Sequence, residues 1–437
     1  MDIQSHNFLD FRAIINTEER IVKLSKRTIV KLTERQANIV GHMNYSAYKL
    51  WNVLNYERRN YNEFGFDSMP SCRDQKMQNK DNFFARNLPS QTAQAVANSL
   101  DWAWKSYLTL CKTGGVENPK PPKFKHDKIP VTYMQNGIKR MSDNTLRLSL
   151  PKQLKEHMKA EYGIDDDYLY LRNPAFLGIG NIKQLKLYPP EDNGDMEIVI
   201  VYEVEDTEAK PDNGNYLSID PGLNNILTSY NNSTGETFIL GKQLFSIERK
   251  YLKRIACVQS QWYSVQTKAG VKHLKSSKHI QKLYSKMNNA LDDYTHKMTR
   301  ELVDYCIDNN INTVVFGDIT HIRDNFRKGS VLNQKMHSWP FKRILEKLKY
   351  KLALEGITLV MQSESYSSQC PPLSPAVSQE YADKSKRVKR GLFVDGVKSW
   401  NADAVGAYNI LRLYRQRTGK PIQMADIRMP YVYKVAV

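Results

Sequence analysis

Asp220, Glu364 and Asp403 are carboxylates far apart in the chain, and each stands near the end or the start of a regular element. Asp220 closes the apolar run Tyr216-Leu217-Ser218-Ile219 and precedes Pro221-Gly222, where a short strand must turn. Glu364 ends a second run that begins Ile357-Thr358-Leu359-Val360-Met361. Asp403 opens the helical stretch Ala404-Val405-Gly406-Ala407-Tyr408-Asn409-Ile410-Leu411. Carboxylates converging at strand ends supply the all-oxygen ligands that two hard divalent cations need to drive phosphodiester hydrolysis. The chemistry these residue types suggest is phosphodiester hydrolysis assisted by two divalent cations.

The elements around them belong to a chain of 437 residues, long enough for two or three domains with their own cores. Lys and Arg outnumber Asp and Glu by 64 to 46, a net charge of +18. So basic a chain favours polyanions, and nucleic acid is preferred to a membrane surface because no amphipathic anchor stands out. The five cysteines (Cys72, Cys111, Cys257, Cys306, Cys370) are scattered and odd in number, which suits a reducing interior better than a disulfide framework. The N-terminus lacks the basic-then-apolar order of a signal peptide, and no apolar stretch approaches a membrane span. The expectation is a cytoplasmic protein, nucleoid-associated in a prokaryote.

Along the chain, residues 14–32 alternate polar and apolar positions and predict a strand or two. From 34 to 112 the pattern is helical, with Trp51, Leu54 and Tyr61 in one stretch and Val96, Leu100, Trp104 and Leu108 at intervals of four in another. These aromatics read mainly as core. The segment Pro119-Lys120-Pro121-Pro122-Lys123-Phe124-Lys125 breaks the pattern as a linker or strand edge. Its Lys120, Lys123 and Lys125 are either phosphate contacts or a solvated basic loop. Residues 129–205 alternate again (Leu146, Leu148, Leu150; Ile182, Leu185, Leu187; Ile198, Ile200), and with the first segment they predict one small β-barrel split by the helical insert.

After residue 215 a strand over 216–220 leads into a hairpin partner over 226–230. A basic helical region over 242–309 comes next, marked by Leu252, Ile255, Leu274, Ile280, Leu283 and Met287. A strand over 312–316, a helix over 340–355 with Phe341, Ile344, Leu345, Leu348 and Leu352 on one stripe, and a strand over 357–363 complete a crossover. Such a unit is right-handed and makes its two strands parallel. Strand, hairpin, crossover and terminal helix together form an RNase H-like order, so the fold class expected is multidomain α+β.

At these residues the chain resembles the TnpB family, transposon-encoded RNA-guided nucleases related to Fanzor and to type V CRISPR effectors. The matching segments are Ser218-Ile219-Asp220-Pro221-Gly222-Leu223, Glu364-Ser365-Tyr366-Ser367-Ser368, Lys389-Arg390-Gly391-Leu392-Phe393 and Asn401-Ala402-Asp403 with the helix after it. Each is weak alone; the four in this order, after the Pro-Lys segment, are specific. The resemblance covers about residues 14–420 and implies a wedge barrel over 1–33 and 118–205. It further implies a helical recognition domain over 34–117, and a RuvC-like nuclease domain over 206–437 with a target-nucleic-acid-binding insert at 366–399. Guide RNA and double-stranded target DNA are the implied partners, bound by a monomer or a dimer on RNA. Asp220 would bridge two ions, with Glu364 and Asp403 each completing one shell.

Two departures from the family pattern matter. Most members carry the second acid as Glu at the end of the strand that here ends in Phe316, where this chain has Gly317-Asp318. One step along a strand turns a side chain to the opposite face, which disfavours Asp318. Glu364 is preferred, because adjacent strands lie about 4.8 Å apart and Glu reaches one methylene further than Asp. A subset of the family relocates the glutamate in this way. The second departure is the zinc ribbon: Cys370 is the last cysteine and no histidine follows His337, so the ligand count excludes zinc in this insert. Lys384, Lys386, Arg387, Lys389 and Arg390 would meet phosphates there instead, a mobile solvated loop being the alternative. Other readings are a nuclease-inactive RNA-guided DNA-binding repressor and a CRISPR effector with the same chemistry. Tyr366 and Ser367 read as substrate or packing contacts rather than recombinase nucleophiles.

Overall fold

Alternation builds the longest strand pair of the molecule, β1 (Ile21–Lys31) against β7 (Asp195–Glu205), antiparallel over their whole length. The computed structural model describes residues 21–318 and 340–435 apart from 115, 143, 206, 390 and 397. The start of the alternating stretch before residue 21, and Arg390, lie outside the described residues. The chain divides into two compact units, with the boundary directly after Glu205.

In the first unit β6 (Asn181–Leu187) and β2 (Val131–Met134) extend the β1–β7 pair into a four-stranded sheet. A second sheet holds β3 (Ile138–Ser142), β4 (Thr145–Ser149) and β5 (Tyr168–Arg172). The expected barrel is therefore not seen closed. After β2 a 3₁₀ turn over Gln135–Gly137 redirects the chain, and β3 pairs with β4 rather than with the first sheet. The two sheets still share a core: Leu146, Leu148, Leu169 and Leu171 bury with Val131, Tyr133, Leu185 and Leu187. The Tyr133 hydroxyl donates to the Ser149 carbonyl (3.0 Å) across them.

Four helices stand between β1 and β2. α1 (Glu34–Arg59) starts at a capping box in which Thr33 and Gln36 satisfy each other's backbone N–H groups. α2 (Cys72–Gln78), α3 (Phe83–Arg86) and α4 (Ser90–Thr113) complete the set. A further helix, α5 (Lys152–Tyr162), connects β4 to β5 and buries Leu154 and Met158 in the same core. Trp51, Leu54, Val96, Leu100 and Trp104 are buried, and the Trp104 indole donates to Asn55 (3.0 Å), so these aromatics pack as expected. Leu108 is exposed, and the stripe ends before it.

The Pro-Lys segment is neither a linker nor a strand edge. It is strapped along α1: Trp51 donates to the Lys123 carbonyl, Asn55 to that of Pro122 (2.9 Å), and Asn52 bonds both backbone groups of Lys125 (2.8 Å each). Prolines leave carbonyls without a ladder partner, and side chains of the helix supply the donors.

The second unit is a six-stranded sheet. β8 (Tyr216–Pro221), β9 (Leu227–Asn231) and β10 (Thr237–Leu240) form an antiparallel meander. The helical hairpin α6 (Leu244–Lys268) and α7 (Lys278–Asp308) precedes β11 (Thr313–Asp318), which lies parallel to β8. α8 (Phe341–Leu354) crosses to β12 (Thr358–Ser363), parallel to β11 as the crossover requires. Gly356 ends that helix at φ +67°, where a Cβ would also meet the Glu208 carbonyl. The short pair β13 (Leu392–Asp395) and β14 (Lys398–Asn401) leads into α9 (Ala402–Thr418), and β15 (Tyr431–Val432) closes the far edge. Leu274, read as a core marker, lies exposed in the turn between α6 and α7.

Alternation along the central strands sorts two cores. Leu217, Ile219, Val314 and Phe316 bury against Met298 and Leu302 of α7 and Leu348 and Leu352 of α8. Tyr216, Tyr230 and Val315 face the other way and bury against Ala407, Ile410 and Leu411 of α9. Among the described residues no helix is long and apolar enough to cross a membrane.

Candidate nuclease site

The same parity decides which acids can meet. Ser218 and Asp220 lie two and four residues after Tyr216 and so share its face, toward α9. The Ser218 hydroxyl donates to the Ala407 carbonyl (2.7 Å), pinning the strand to the helix. A turn of helix must pass directly over Asp220, and Gly406 allows it. A Cβ at Gly406 would stand 2.2 Å from the Asp220 Oδ2.

Glu364 comes to the same face. β12 carries Val360 toward α9 and Leu359 and Met361 away, and position 364 keeps the parity of 360 and 362. On β11, Val315 faces α9, so Gly317 does too, whereas Asp318 turns to the opposite face and is exposed. The carboxylate of Glu364 occupies the space a side chain at 317 would take. Its Oε1 lies 2.1 Å from where a Gly317 Cβ would be. A side chain at 317 and the Glu364 carboxylate could not share that space.

Asp403 stands in the first turn of α9, whose N-cap Asn401 accepts hydrogen bonds from the Asp403 and Ala404 backbone N–H groups (3.0 and 3.2 Å). Asn225, in the turn between β8 and β9, donates to its Oδ2 (2.7 Å), and the Arg387 guanidinium lies 3.4 Å from its Oδ1. Sequence reading missed Asn225. Its signal is position alone, five residues after Asp220 in the turn that Gly222 opens by donating its N–H to the Asn225 carbonyl (3.1 Å).

The electrostatics show the three acids in one field. Burial, then the Asp403 charge, pushes the Asp220 carboxyl up to about 7, while Arg387 works the other way. Burial, then the Asp220 charge and finally that of Asp318, pushes Glu364 up to about 9. The buried Oε1 of Glu364 has no hydrogen-bond partner among the described residues. A buried carboxylate left this way costs on the order of several kcal/mol, unless a proton or a cation answers it. An all-oxygen donor set with an orphaned carboxylate oxygen fits a hard divalent cation. Among the described residues no three of His, Cys, Asp and Glu already stand grouped to close on one ion. Asn225 and Arg387 contact the two oxygens of Asp403.

α9 also organises the chain after Glu364. Asn409 is buried and donates to the carbonyls of Ser367 and Cys370 (2.8 Å each), and Arg412 donates to that of Pro371 (3.0 Å). Tyr366 sits at φ +63°, and Ser367 is buried, a packing role. Of the basic residues expected at phosphates, Lys386 pairs with Asp395 (2.8 Å) and Arg387 with Asp403, while Lys384 and Lys389 are exposed. Lys120 and Lys123 are exposed on the strap, and the Lys125 ammonium lies over the Trp51 ring, 4.7 Å from its centroid.

Known proteins match both segments that carry the acids. The model of a family described as a probable transposase, OrfB_IS605, matches residues 199–323, which include Asp220. That of a Cas12f1-like TNB domain matches residues 341–410, which include Glu364 and Asp403. The CRISPR-associated endodeoxyribonuclease Cas12f1 of Sulfoacidibacillus thermotolerans is 26% identical over 117 residues, 27% of this chain. That match spans 26% of the relative's length, about a quarter of it. The cryo-EM structure of a Cas12f1–sgRNA–target DNA complex superposes with a TM-score of 0.58 at 13% identity, over 86% of this chain and 83% of that one. At that identity the likeness is one of fold: a mixed α/β multidomain fold. The resemblance to the TnpB family and its type V relatives read from the four motifs thus stands on matches to both segments.

Proposed function

We propose that this TnpB-like chain is an RNA-guided DNA endonuclease whose acids are Asp220, Glu364 and Asp403. The observation that carries the reading is the carboxylate of Glu364 in the space left by Gly317 beside Asp220, its buried Oε1 without a hydrogen-bond partner among the described residues. The strand order β10-β9-β8-β11-β12 with α9 on one face supports a RuvC-like, RNase H-like reading of the second unit. The first unit would hold the wedge and the helical recognition insert. The relative is a CRISPR-associated endodeoxyribonuclease, and the similar solved complex contains an sgRNA and target DNA. Carried to this chain, these make guide RNA and double-stranded DNA the partners, with sequence read by base pairing and the protein holding the heteroduplex by shape and charge.

Asp220 would hold both of two Mg2+ ions, Glu364 one and Asp403 the other. When bound, such ions supply an activated water and stabilise the charge on a leaving 3′ oxygen. The residues' own work is positional. Gly406 and the Ser218 bond set the depth of Asp220 beneath α9. Gly317 makes room for Glu364, and Asn225 orients Asp403. Arg387 offers the pocket a positive charge, which balances Asp403 while no other cation is near and can turn to a phosphate when a strand enters.

The test is cleavage of a DNA target matched to the RNA that copurifies with the chain, in Mg2+ and with chelator as control. Glu364→Ala is expected to lower the rate about a hundredfold or more while leaving guided binding intact. Asp318→Ala is expected to stay within about threefold of the parent, because a side chain on the opposite face reaches no shared ion. The reverse pattern would transfer the role to Asp318. Absence of cutting by the parent chain, with guided binding retained, would favour the repressor reading.

A further inference from the structure

The three-stranded sheet of the first unit has one face in the core and one outside, and its outer face is unusual. β5 alternates cleanly: Leu169 and Leu171 are buried, while Tyr168, Tyr170 and Arg172 point outward. Tyr168 and Tyr170 remain 38% and 45% exposed, their ring centroids 6.4 Å apart and the rings too steeply inclined to cover one another. Register places Arg147 of β4 opposite Tyr170, and Lys139 of β3 opposite Arg147, so cations run across the same face. The Arg147 guanidinium already lies over the Tyr168 ring, 4.1 Å from its centroid. Thr145 and Ser149 add hydroxyls between them, and Arg172 stands opposite Thr145.

The acids just before β5 are paired: Asp165, Asp166 and Asp167 with Lys159, Arg35 and Lys155 at 2.7, 3.6 and 2.8 Å. The platform therefore stays positive. An outward strand face is stable in water with polar side chains such as Thr, so strand formation alone does not require two exposed rings there. Two exposed rings at alternate positions, bordered by guanidinium groups, match what unpaired bases and their phosphates require.

We infer that the outer face of β3, β4 and β5 binds single-stranded RNA, with bases stacking on Tyr168 and Tyr170 and phosphates meeting Arg147, Arg172 and Lys139. The hydroxyls of Thr145 and Ser149 select RNA by meeting 2′-hydroxyls. This deepens the proposed function, on which it rests, by giving the unpaired bases of the guide a seat.

The experiment uses the full chain, stripped of copurifying RNA, with a labelled twelve-nucleotide oligouridylate, the matching oligothymidylate and a twelve-base-pair RNA duplex. Tyr168→Leu with Tyr170→Leu is expected to weaken oligouridylate binding about tenfold or more, with duplex binding within about threefold of the parent. Tyr168→Phe with Tyr170→Phe keeps the rings and is expected to bind as the parent does. Full affinity in the leucine variant, an equal loss for strand and duplex, or oligothymidylate bound as tightly as oligouridylate would each overturn the inference. Should the leucine variant not fold, 4-thiouridine crosslinking of the unaltered chain decides: adducts on the peptide holding residues 168–170 support the platform, and adducts elsewhere alone refute it. Oligouridylate binding needs no nuclease, so Glu364→Ala is expected to keep it. A chain that passes this test yet never cuts matched DNA refutes the nuclease reading and leaves the platform standing.

Discussion

Glu364 and Gly317 work as a pair, and their energetics give a pH signature. Asp220 and Glu364 hold their protons to about 7 and about 9 in the folded chain, against roughly 4 when unfolded. The native state thus binds more protons than the unfolded state between those values. The contribution to stability is greatest below pH 4 and declines as pH rises through the folded values. Without divalent cations, the melting temperature is expected to fall between pH 5 and pH 9. Glu364→Gln should blunt that fall, its advantage over the parent growing with pH to about 1 kcal/mol or more, or roughly 2–4 °C. Identical pH slopes for parent and variant in thermal melts would refute the burial of that charge. Mg2+ should restore the parent at high pH, because a cation then answers the carboxylates in place of protons.

At the scale of elements, α9 sets the site from above. Gly406 lies in mid-helix, where replacement by Ala would on propensity alone stabilise by about 1 kcal/mol. The new methyl would fall within 2.2 Å of the Asp220 Oδ2 and force that carboxylate aside. The two effects oppose one another in stability but not in chemistry. Gly406→Ala is expected to change the melting temperature by no more than about 4 °C and to cut matched DNA at least about tenfold more slowly. Undiminished cutting would mean the helix stands off the strand further than Gly406 implies. Asn409 and Arg412 extend the same control to the segment after Glu364, so one helix fixes the surroundings of all three acids.

At the scale of the molecule, a net charge of +18 does not mean that every lysine meets a phosphate. Each phosphate neutralised on a single strand contributes about −0.7 to the slope of log affinity against log salt. Lys384→Gln with Lys389→Gln, both exposed in the insert, should flatten that slope by about 1.4 in titrations with matched single-stranded target DNA. Lys125→Gln should leave the slope unchanged and lower the melting temperature instead, since its ammonium is committed to the Trp51 ring and its backbone to Asn52. A slope change from Lys125→Gln alone would reverse that assignment.

Much of this molecule is written in short-range pattern. Period-two alternation predicts β1, β4, β6 and β7, an apolar run predicts β8, four-residue spacing predicts α4 and α8, and strand parity disfavours Asp318, because each depends only on neighbours along one element. The barrel is different: whether β3 joins the first sheet or pairs with β4 depends on where the 3₁₀ turn after β2 aims the chain, and no local spacing encodes that. The strap along α1 escapes for the same reason, since its prolines announce a break while the donors that hold it come from Asn52 and Asn55 in another element. Asn225 and Gly406 acquire their meaning only when strand and helix close on each other. A residue's face is local, but the atom it will meet across a packed interface is set by the path of the whole chain.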